Sequence, residues 1–305
     1  MNLKSGWMEE LHTQCPDLEC RAEEPLAKHT SFRIGGPAEW MLFPKTITQL
    51  RTVLAVLHRY EQKPLILGAG TNVLAPDAGV RGVVLVTRDC LSGIRQVSPT
   101  RLEVMAGTTM AKAAMTACDL GLSGLEFAHG IPGTVGGGVY MNAGAYGGEI
   151  SQVAWQTEFA FLDGTMNIMR GEEQEFSYRT STFQNRDCVI LRTWFDLTPG
   201  DKTEIRRKMQ TLAEKRRNSQ PLSFPSAGST FKRPVGGYAA ALIEQAGLKG
   251  VGVGGAAVSE KHAGFVVNNG GATADDVLKT IELVQKRVYE SAGIWLEPEV
   301  KMIQK

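Results

Sequence analysis

Between residues 46 and 61 the apolar positions Leu50, Val53, Leu54 and Leu57 fall three or four apart, the spacing that lines one face of a helix. Leu65-Ile66-Leu67 follows as a short apolar run, reads as a buried strand, and opens directly into Gly68-Ala69-Gly70. Val83-Val84-Leu85-Val86 reads as another strand. Thr109 then caps an alanine-rich helix with Met110, Ala113, Ala114 and Ala117 on its apolar face, stopped by Gly121. Strands are expected over 158–162 and 188–197. Asp201 with Glu204 three residues on has the form of a capping box. It opens a helix that turns Ile205, Met209 and Leu212 inward and ends near Pro221. From 201 onward the composition suggests a compact C-terminal α+β unit. That unit closes with a helix capped by Thr273, ended by Gly293 and striped by Val277, Leu278, Ile281, Val284 and Val288. The last segment, 294–303, reads as a strand, and Pro298 within it makes it an edge strand or a bulged one. Residues 1–24 are polar and only mildly amphipathic, an N-terminal extension without a legible element.

One interval breaks this pattern. Residues 130–148 hold glycine at 130, 133, 136, 137, 138, 144, 147 and 148, whereas the whole chain has 34 glycines in 305 residues. Glycine carries the largest entropic cost of ordering, so such a run implies bare backbone that must turn or lie against a ligand. The earlier loop, Gly68-Ala69-Gly70-Thr71-Asn72, leaves a strand as a dinucleotide-binding loop does. The nicotinamide-type fingerprint, however, needs a third glycine where Val73 stands and a helix where Pro76 and Gly79 interrupt. By itself this loop is either an ordinary tight turn or a nest of backbone N–H groups for an anion, with Thr71 and Asn72 as added donors.

Composition narrows the partners. The length allows two or three ordinary domains. Thirty-three Lys plus Arg against 32 Asp plus Glu leave a net charge of +1, so no bulk field draws in nucleic acid or an anionic membrane. An anionic ligand must instead meet a local cluster of cations. Five cysteines, at 15, 20, 90, 118 and 188, include no Cys-x-x-Cys, which argues against a disulfide framework or a zinc site. Reduced thiols and a cytoplasmic location are expected. The segment Met1–Glu10 lacks the apolar core of a signal peptide, and the apolar runs are of strand length, too short to span a membrane.

Read in order, the motifs resemble a known family. Gly-Ala-Gly-Thr-Asn-Val-Leu at 68–74, Gly-Ile-Pro-Gly-Thr-Val-Gly-Gly at 130–137 and Met-Asn-Ala-Gly-Ala-Tyr-Gly at 141–147 are similar to the FAD-binding signatures of the UDP-N-acetylenolpyruvoylglucosamine reductases. The likeness begins at His29-Thr-Ser-Phe-Arg-Ile-Gly-Gly and runs to the end of the chain. It implies an α+β fold: a two-subdomain FAD-binding fold of the vanillyl-alcohol-oxidase type over 25–200, dividing near 95, then a substrate domain over 201–305. FAD is expected to be non-covalent, with NADPH as reductant and UDP-N-acetylglucosamine enolpyruvate as the other small-molecule substrate. The cofactor-binding positions it implies are Gly68, Ala69, Gly70, Thr71, Asn72, Pro132, Gly133, Thr134, Gly136, Gly137, Asn142 and Gly144. The chain resembles the shorter family form, without the inserted substrate-capping tyrosine segment, and has Gly138 where an alanine is usual.

Three catalytic positions follow from the same resemblance: Arg179 in Ser177-Tyr-Arg-Thr-Ser, Ser229 in Pro225-Ser-Ala-Gly-Ser-Thr-Phe-Lys, and Glu299 in Gly293-Ile-Trp-Leu-Glu-Pro-Glu-Val. Taken singly, each has an ordinary reading. Arg179 would be a surface arginine lying over apolar neighbours, Ser229 a turn hydroxyl, and Glu299 a solvated carboxylate opposite Leu296, Val300 and Met302. Their joint order favours chemistry. Arg179 would match a carboxylate bidentately, Glu299 would bond the developing acid-enol, and Ser229 would protonate carbon. Tyr178, Arg217 and Arg233 are the expected substrate contacts. Arg217, in a basic helix end, equally suits the helix dipole, and Arg233 stands where many members have asparagine. His129 and His262 are pocket neighbours, expected as satisfied structural histidines. A flavin oxidase of the same fold, or a flavin-binding interaction protein, are the rival functions.

Overall fold

A computed structural model describes residues 6–88 and 90–303. Its elements begin α1 (Gly6–Gln14), β1 (Glu19–Pro25), β2 (Pro37–Phe43), α2 (Ile47–Arg59), β3 (Leu65–Leu67), β4 (Val73–Leu74) and β5 (Val80–Val86). There follow β6 (Ile94–Ser98), β7 (Arg101–Met105), α3 (Met110–Asp119), α4 (Val135–Tyr140), α5 (Lys202–Ser219), α6 (Ala239–Gln245) and α7 (Ala274–Ala292), with further strands named below. The chain makes two compact units. One comprises the chain up to Ala22, Trp40–Ala69 and Gly82–Glu214; the other comprises Glu23–Glu39, Gly70–Arg81 and everything from Lys215.

The first unit is built on a five-stranded antiparallel sheet ordered Met166–Arg170, Ala154–Phe161, Cys188–Asp196, β7, β6. Side chains alternate faces along a strand, and here both faces are covered. Phe159, Ile190 and Leu102 join one core with α3 and α4, while Ala160, Val189 and Leu191 join another with α1 and α2. That double burial explains the nearly unbroken apolar runs over 158–162 and 188–197. Helix α3 starts where Thr109 Oγ1 accepts the Lys112 N–H, as the sequence predicts, and α2 starts where Thr46 Oγ1 accepts the Gln49 N–H, a cap that the periodicity alone did not identify. Strand β3 pairs parallel with β5, Leu65 opposite Val84. Helix α1 lies in the extension that the sequence left unassigned. Trp7 and Leu11 anchor it, and Trp7 meets Trp40 edge to face, with ring centroids 6.0 Å apart.

In the second unit α7 packs on the antiparallel strands Gly252–Val253, Ala256–Val258 and Val266–Asn268. Its capping box is reciprocal, Thr273 with Asp276, and Gly293 ends it in the left-handed region. Val277, Ile281, Val284 and Val288 are buried as expected, but Leu278 is exposed, one position off the stripe. Segment 294–303 is not one strand. Pro298 forms an isolated bridge with Phe231, and only Lys301–Met302 pairs further, parallel to β4. Leu296 and Val300 are buried, whereas Met302 turns outward, so the expected alternation stops with Val300.

Candidate active site

In the first unit the glycine-rich segment hangs from the end of β7. Val135 N–H donates to Thr108 O and Gly136 N–H to Ala106 O, both at 2.8 Å, and Thr109 bridges Thr134. The segment is not loop throughout, because Thr134 caps the short helix α4 by accepting the Gly137 N–H. The three glycines within α4 differ. A Cβ on Gly136 would lie 2.9 Å from Ala106 Cβ, and one on Gly138 would lie 2.8 Å from Met110 Sδ. Packing therefore demands glycine at 136, whereas at 138 only the flexible end of the Met110 side chain would have to shift. On Gly137 the nearest atom would be Thr134 Oγ1 at 3.6 Å, an ordinary contact, so the fold has room there for a side chain. A Cβ on Gly68 would come within 2.8 Å of that same Oγ1, which places the end of β3 against Thr134.

His129 lies just before this segment, in the turn Glu126–Gly130. Its Nδ1 is buried with no hydrogen-bond partner among the described residues, unlike the satisfied histidine expected. Such an atom costs about 1–3 kcal/mol unless a water or a ligand meets it. An unfilled space on Gly137 and an unmet polar atom at His129 are what a glycine-lined cofactor loop should show, and these residues fit a bound flavin.

Asn142 and Gly144 serve a different part of the same unit. Asn142 is fully buried at a left-handed φ of 41°. Its Nδ2 donates to Ser177 O at 3.0 Å and to Glu149 Oε1, while its Oδ1 accepts the Ser151 N–H. The bond to Ser177 holds a hairpin in which Ser177 and Thr180 exchange backbone hydrogen bonds around Tyr178 and Arg179. Arg179 has φ 56°, at a turn position that usually takes glycine or asparagine. Its Nη2 donates to Gly144 O at 2.9 Å, Gln184 Nε2 donates to its carbonyl, and its guanidinium lies 5.1 Å from the Tyr178 ring centroid.

In the second unit the other site residues share one framework. Gly70 has φ 62°, and a Cβ on it would lie 2.0 Å from His29 O, so only glycine fits. Gly70 O accepts the Ser31 N–H at 3.0 Å, and Ser31 Oγ donates to Ser226 O at 2.6 Å. Asn72 Nδ2 donates to Glu299 O at 3.2 Å, while Glu299 N–H donates to Thr230 O at 2.8 Å. The first glycine loop thus holds the backbone of Glu299, and Glu299 in turn holds the neighbour of Ser229. Ser229 itself is exposed between Gly228 and the buried Thr230. Lys232 pairs with Glu297 beside it. Burial first, then the charge of Lys232, lowers the Lys301 pKa, against the pull of Glu297 and Glu299.

The substrate-contact candidates sit on separate elements. Arg217 is in the last turn of α5, and its carbonyl accepts from Lys261 Nζ at 2.6 Å. Arg233 lies over the Tyr238 ring, 4.4 Å from its centroid. Tyr178 is exposed on the first unit's hairpin. Sequence reasoning missed Ser31; its only signal was its place in His29-Thr-Ser-Phe-Arg, where the family likeness begins. Among the described residues no helix is long and apolar enough to cross a membrane, and no group of three or more His, Cys, Asp or Glu side chains is placed to hold a metal ion.

Comparison with known proteins gives these features their setting. Residues 38–168 match the family described as an FAD binding domain, and residues 220–303 match the UDP-N-acetylenolpyruvoylglucosamine reductase C-terminal domain. The reductase of Caldanaerobacter subterraneus subsp. tengcongensis is 46% identical over 282 residues, 92% of each chain. That of Limosilactobacillus reuteri subsp. reuteri is 42% identical, covering 97% of this chain and 99% of its own. The crystal structure of the Thermus caldophilus reductase superposes with a TM-score of 0.76 at 34% identity, covering 94% of this chain and 99% of that one. The fold is the α+β class expected, an FAD-binding domain followed by a C-terminal reductase domain. A glycine loop bonded to Glu299, a strained arginine and this likeness over nearly the whole chain lead to one conclusion: the chain belongs to the UDP-N-acetylenolpyruvoylglucosamine reductase family and is an FAD-dependent oxidoreductase.

Proposed function

We propose that the chain reduces the enolpyruvyl ether of UDP-N-acetylglucosamine enolpyruvate to the lactyl ether of UDP-N-acetylmuramate, in the cytoplasm, with NADPH as the source of electrons. In this role it supplies peptidoglycan precursors for cell-wall growth and division. One observation carries the assignment of residues: Asn72 of the first glycine loop bonds Glu299, and Glu299 bonds Thr230 beside Ser229. Cofactor loop and proton chemistry then belong to one hydrogen-bonded backbone frame. FAD, when bound without a covalent link, supplies the hydride that adds to the terminal carbon of the double bond, which no side chain can do. The electron pair of that bond moves toward the adjacent carbon and the carboxylate. Arg179 meets the growing negative charge with a permanent, planar cation, the kind of help that is greatest in the transition state. Glu299 hydrogen-bonds the same developing acid-enol. Ser229 gives its Oγ proton to the ether-bearing carbon and recovers one from solvent, which its exposure allows. Gly68 to Asn72 and Pro132 to Gly137 line the cofactor, with Asn142 and Gly144 fixing the arginine hairpin. Tyr178, Arg217 and Arg233 contact the nucleotide-sugar.

The visible spectrum tests this. Purified protein should be yellow, bleach with NADPH without oxygen, and regain colour when the enolpyruvyl UDP-sugar is added. Acid should release all the colour into solution. Colour that returns only with air, or stays with the acid pellet, would refute the reductase assignment and favour an oxidase.

A further inference from the structure

Ser229 is held through its neighbour. On its N-terminal side a Cβ on Gly228, at φ 79°, would meet open space, and the nearest fixed residue is Ser226, whose carbonyl accepts from Ser31 Oγ. On its C-terminal side Thr230 is pinned three times. Its N–H donates to Gly264 O at 2.8 Å, its Oγ1 accepts the Val266 N–H at 2.9 Å, and its carbonyl accepts the Glu299 N–H. Two of those three bonds go to the segment 264–266, and the shape of that segment is set by His262. The Gly264 N–H donates to His262 Nδ1 at 3.1 Å, Phe265 N–H donates to the His262 carbonyl, and the imidazole stands edge to face with Phe265. The ring also packs closely on the turn, since a Cβ on Gly264 would lie 3.0 Å from His262 Cε1. A side-chain acceptor that takes the N–H two residues on is the geometry asparagine and aspartate use in an Asx turn. Here an imidazole does it, and it must be neutral with its proton on Nε2.

We propose that His262 is a positioning residue for Ser229: its unprotonated Nδ1 shapes the 262–264 turn to which Thr230, and through it the proton donor, is pinned. The proposal rests on the proton-donor role given to Ser229 above. The imidazole's charged neighbours are Glu244 on α6, Lys249 in the turn after it, and the adjacent Lys261. Burial chiefly, with Lys249, lowers the His262 pKa and keeps the ring neutral, while the His262 backbone and Glu244 pull the other way. The unfolded chain therefore takes up this proton first as pH falls. Stability is full above the ordinary histidine range and declines as pH drops through that range to the lowered value. Protonation removes the acceptor that Gly264 uses.

Two substitutions on the FAD-loaded enzyme separate positioning from packing. His262→Leu fills the volume without an acceptor. It should slow the return of flavin colour by the enolpyruvyl substrate about tenfold or more, the scale of a small misplacement, and leave bleaching by NADPH unchanged. His262→Asn restores the acceptor and should recover most of that rate. The wild type should lose colour-return rate at acid pH, whereas the asparagine variant should lack that limb. Amide exchange gives a readout that needs no catalysis. Relative to the intrinsic rate at each pH, the N–H groups of Gly264 and Thr230 should be less protected in His262→Leu, and less protected in the wild type at acid pH, but not in His262→Asn. Unchanged exchange in His262→Leu, an asparagine variant as slow as the leucine one, or equal slowing of both halves would overturn the proposal. Faster exchange together with a Ser229→Ala variant of normal rate would overturn the role of Ser229 instead, and leave the turn as described.

Discussion

Ser229→Ala is expected to leave flavin reduction by NADPH nearly intact and to slow flavin reoxidation by the enolpyruvyl substrate by about 10²–10⁴-fold, the range for loss of a positioned proton donor. The first half needs two rings to approach; only the second needs a proton delivered to carbon. The structure makes the substitution a clean one. Ser229 is exposed, while the bonds that fix its segment belong to Thr230 and Ser226, so removing Oγ should disturb little else. Ser229→Cys should keep part of the second half, because a thiol still donates. Glu299→Gln should also weigh on the second half, since shape is kept and the acid lost, with the backbone bonds to Thr230 and Asn72 untouched. Stopped-flow absorbance of the flavin reads each half separately. Equal slowing of both halves in Ser229→Ala would mean that the serine positions the flavin, and its assignment as donor would fall.

The second large effect is expected at Gly137. Valine there should abolish tight FAD binding, raising the Kd at least tenfold, while the flavin-free protein still folds. The reasoning is spatial. At Gly136 an added Cβ would press on Ala106, so substitution there damages the core itself. At Gly137 it would meet nothing closer than 3.6 Å. Alanine at 137 should even favour α4 by up to about 1 kcal/mol, given the poor helix propensity of glycine. Thermal melting of the flavin-free variants and quenching of FAD fluorescence on titration would measure the two effects apart. FAD affinity unchanged in Gly137→Val would show that this glycine lines no cofactor.

Much of the fold is legible in the sequence where local chemistry agrees with the final packing. Thr109 and Thr273 each announce a helix start, and each accepts the N–H expected of a cap. Helix α1 is not legible, because two anchors in nine residues give too little periodicity to separate it from a polar tail. Helix α4 is hidden by its own composition: Val-Gly-Gly-Gly-Val-Tyr has poor helix propensity and is kept helical by the Thr134 cap and by close packing at Gly136 and Gly138. In the candidate site, the chemical types stand out only as ordered motifs. Nothing in the residue name predicts that Arg179 occupies left-handed backbone, since that conformation is imposed by Asn142, Gly144 and Gln184 around it. Ser31 is equally silent, because its partner Ser226 is 195 positions away. Leu278 and Met302 were misplaced for a simpler reason. A stripe of apolar residues widens by one position at no cost in sequence, and an end residue of a strand has no neighbour to bury it.

The strained hairpin also bears on how such a protein would fare under selection. At position 179 an arginine holds angles that cost roughly 1–3 kcal/mol and that glycine adopts without strain. On the role proposed for Arg179, heat resistance and turnover therefore pull this codon in opposite directions. A library of variants sorted only for survival of heating would drift toward glycine or asparagine at 179 and collect robust proteins that no longer work; one sorted for growth would hold the arginine and find its extra stability elsewhere.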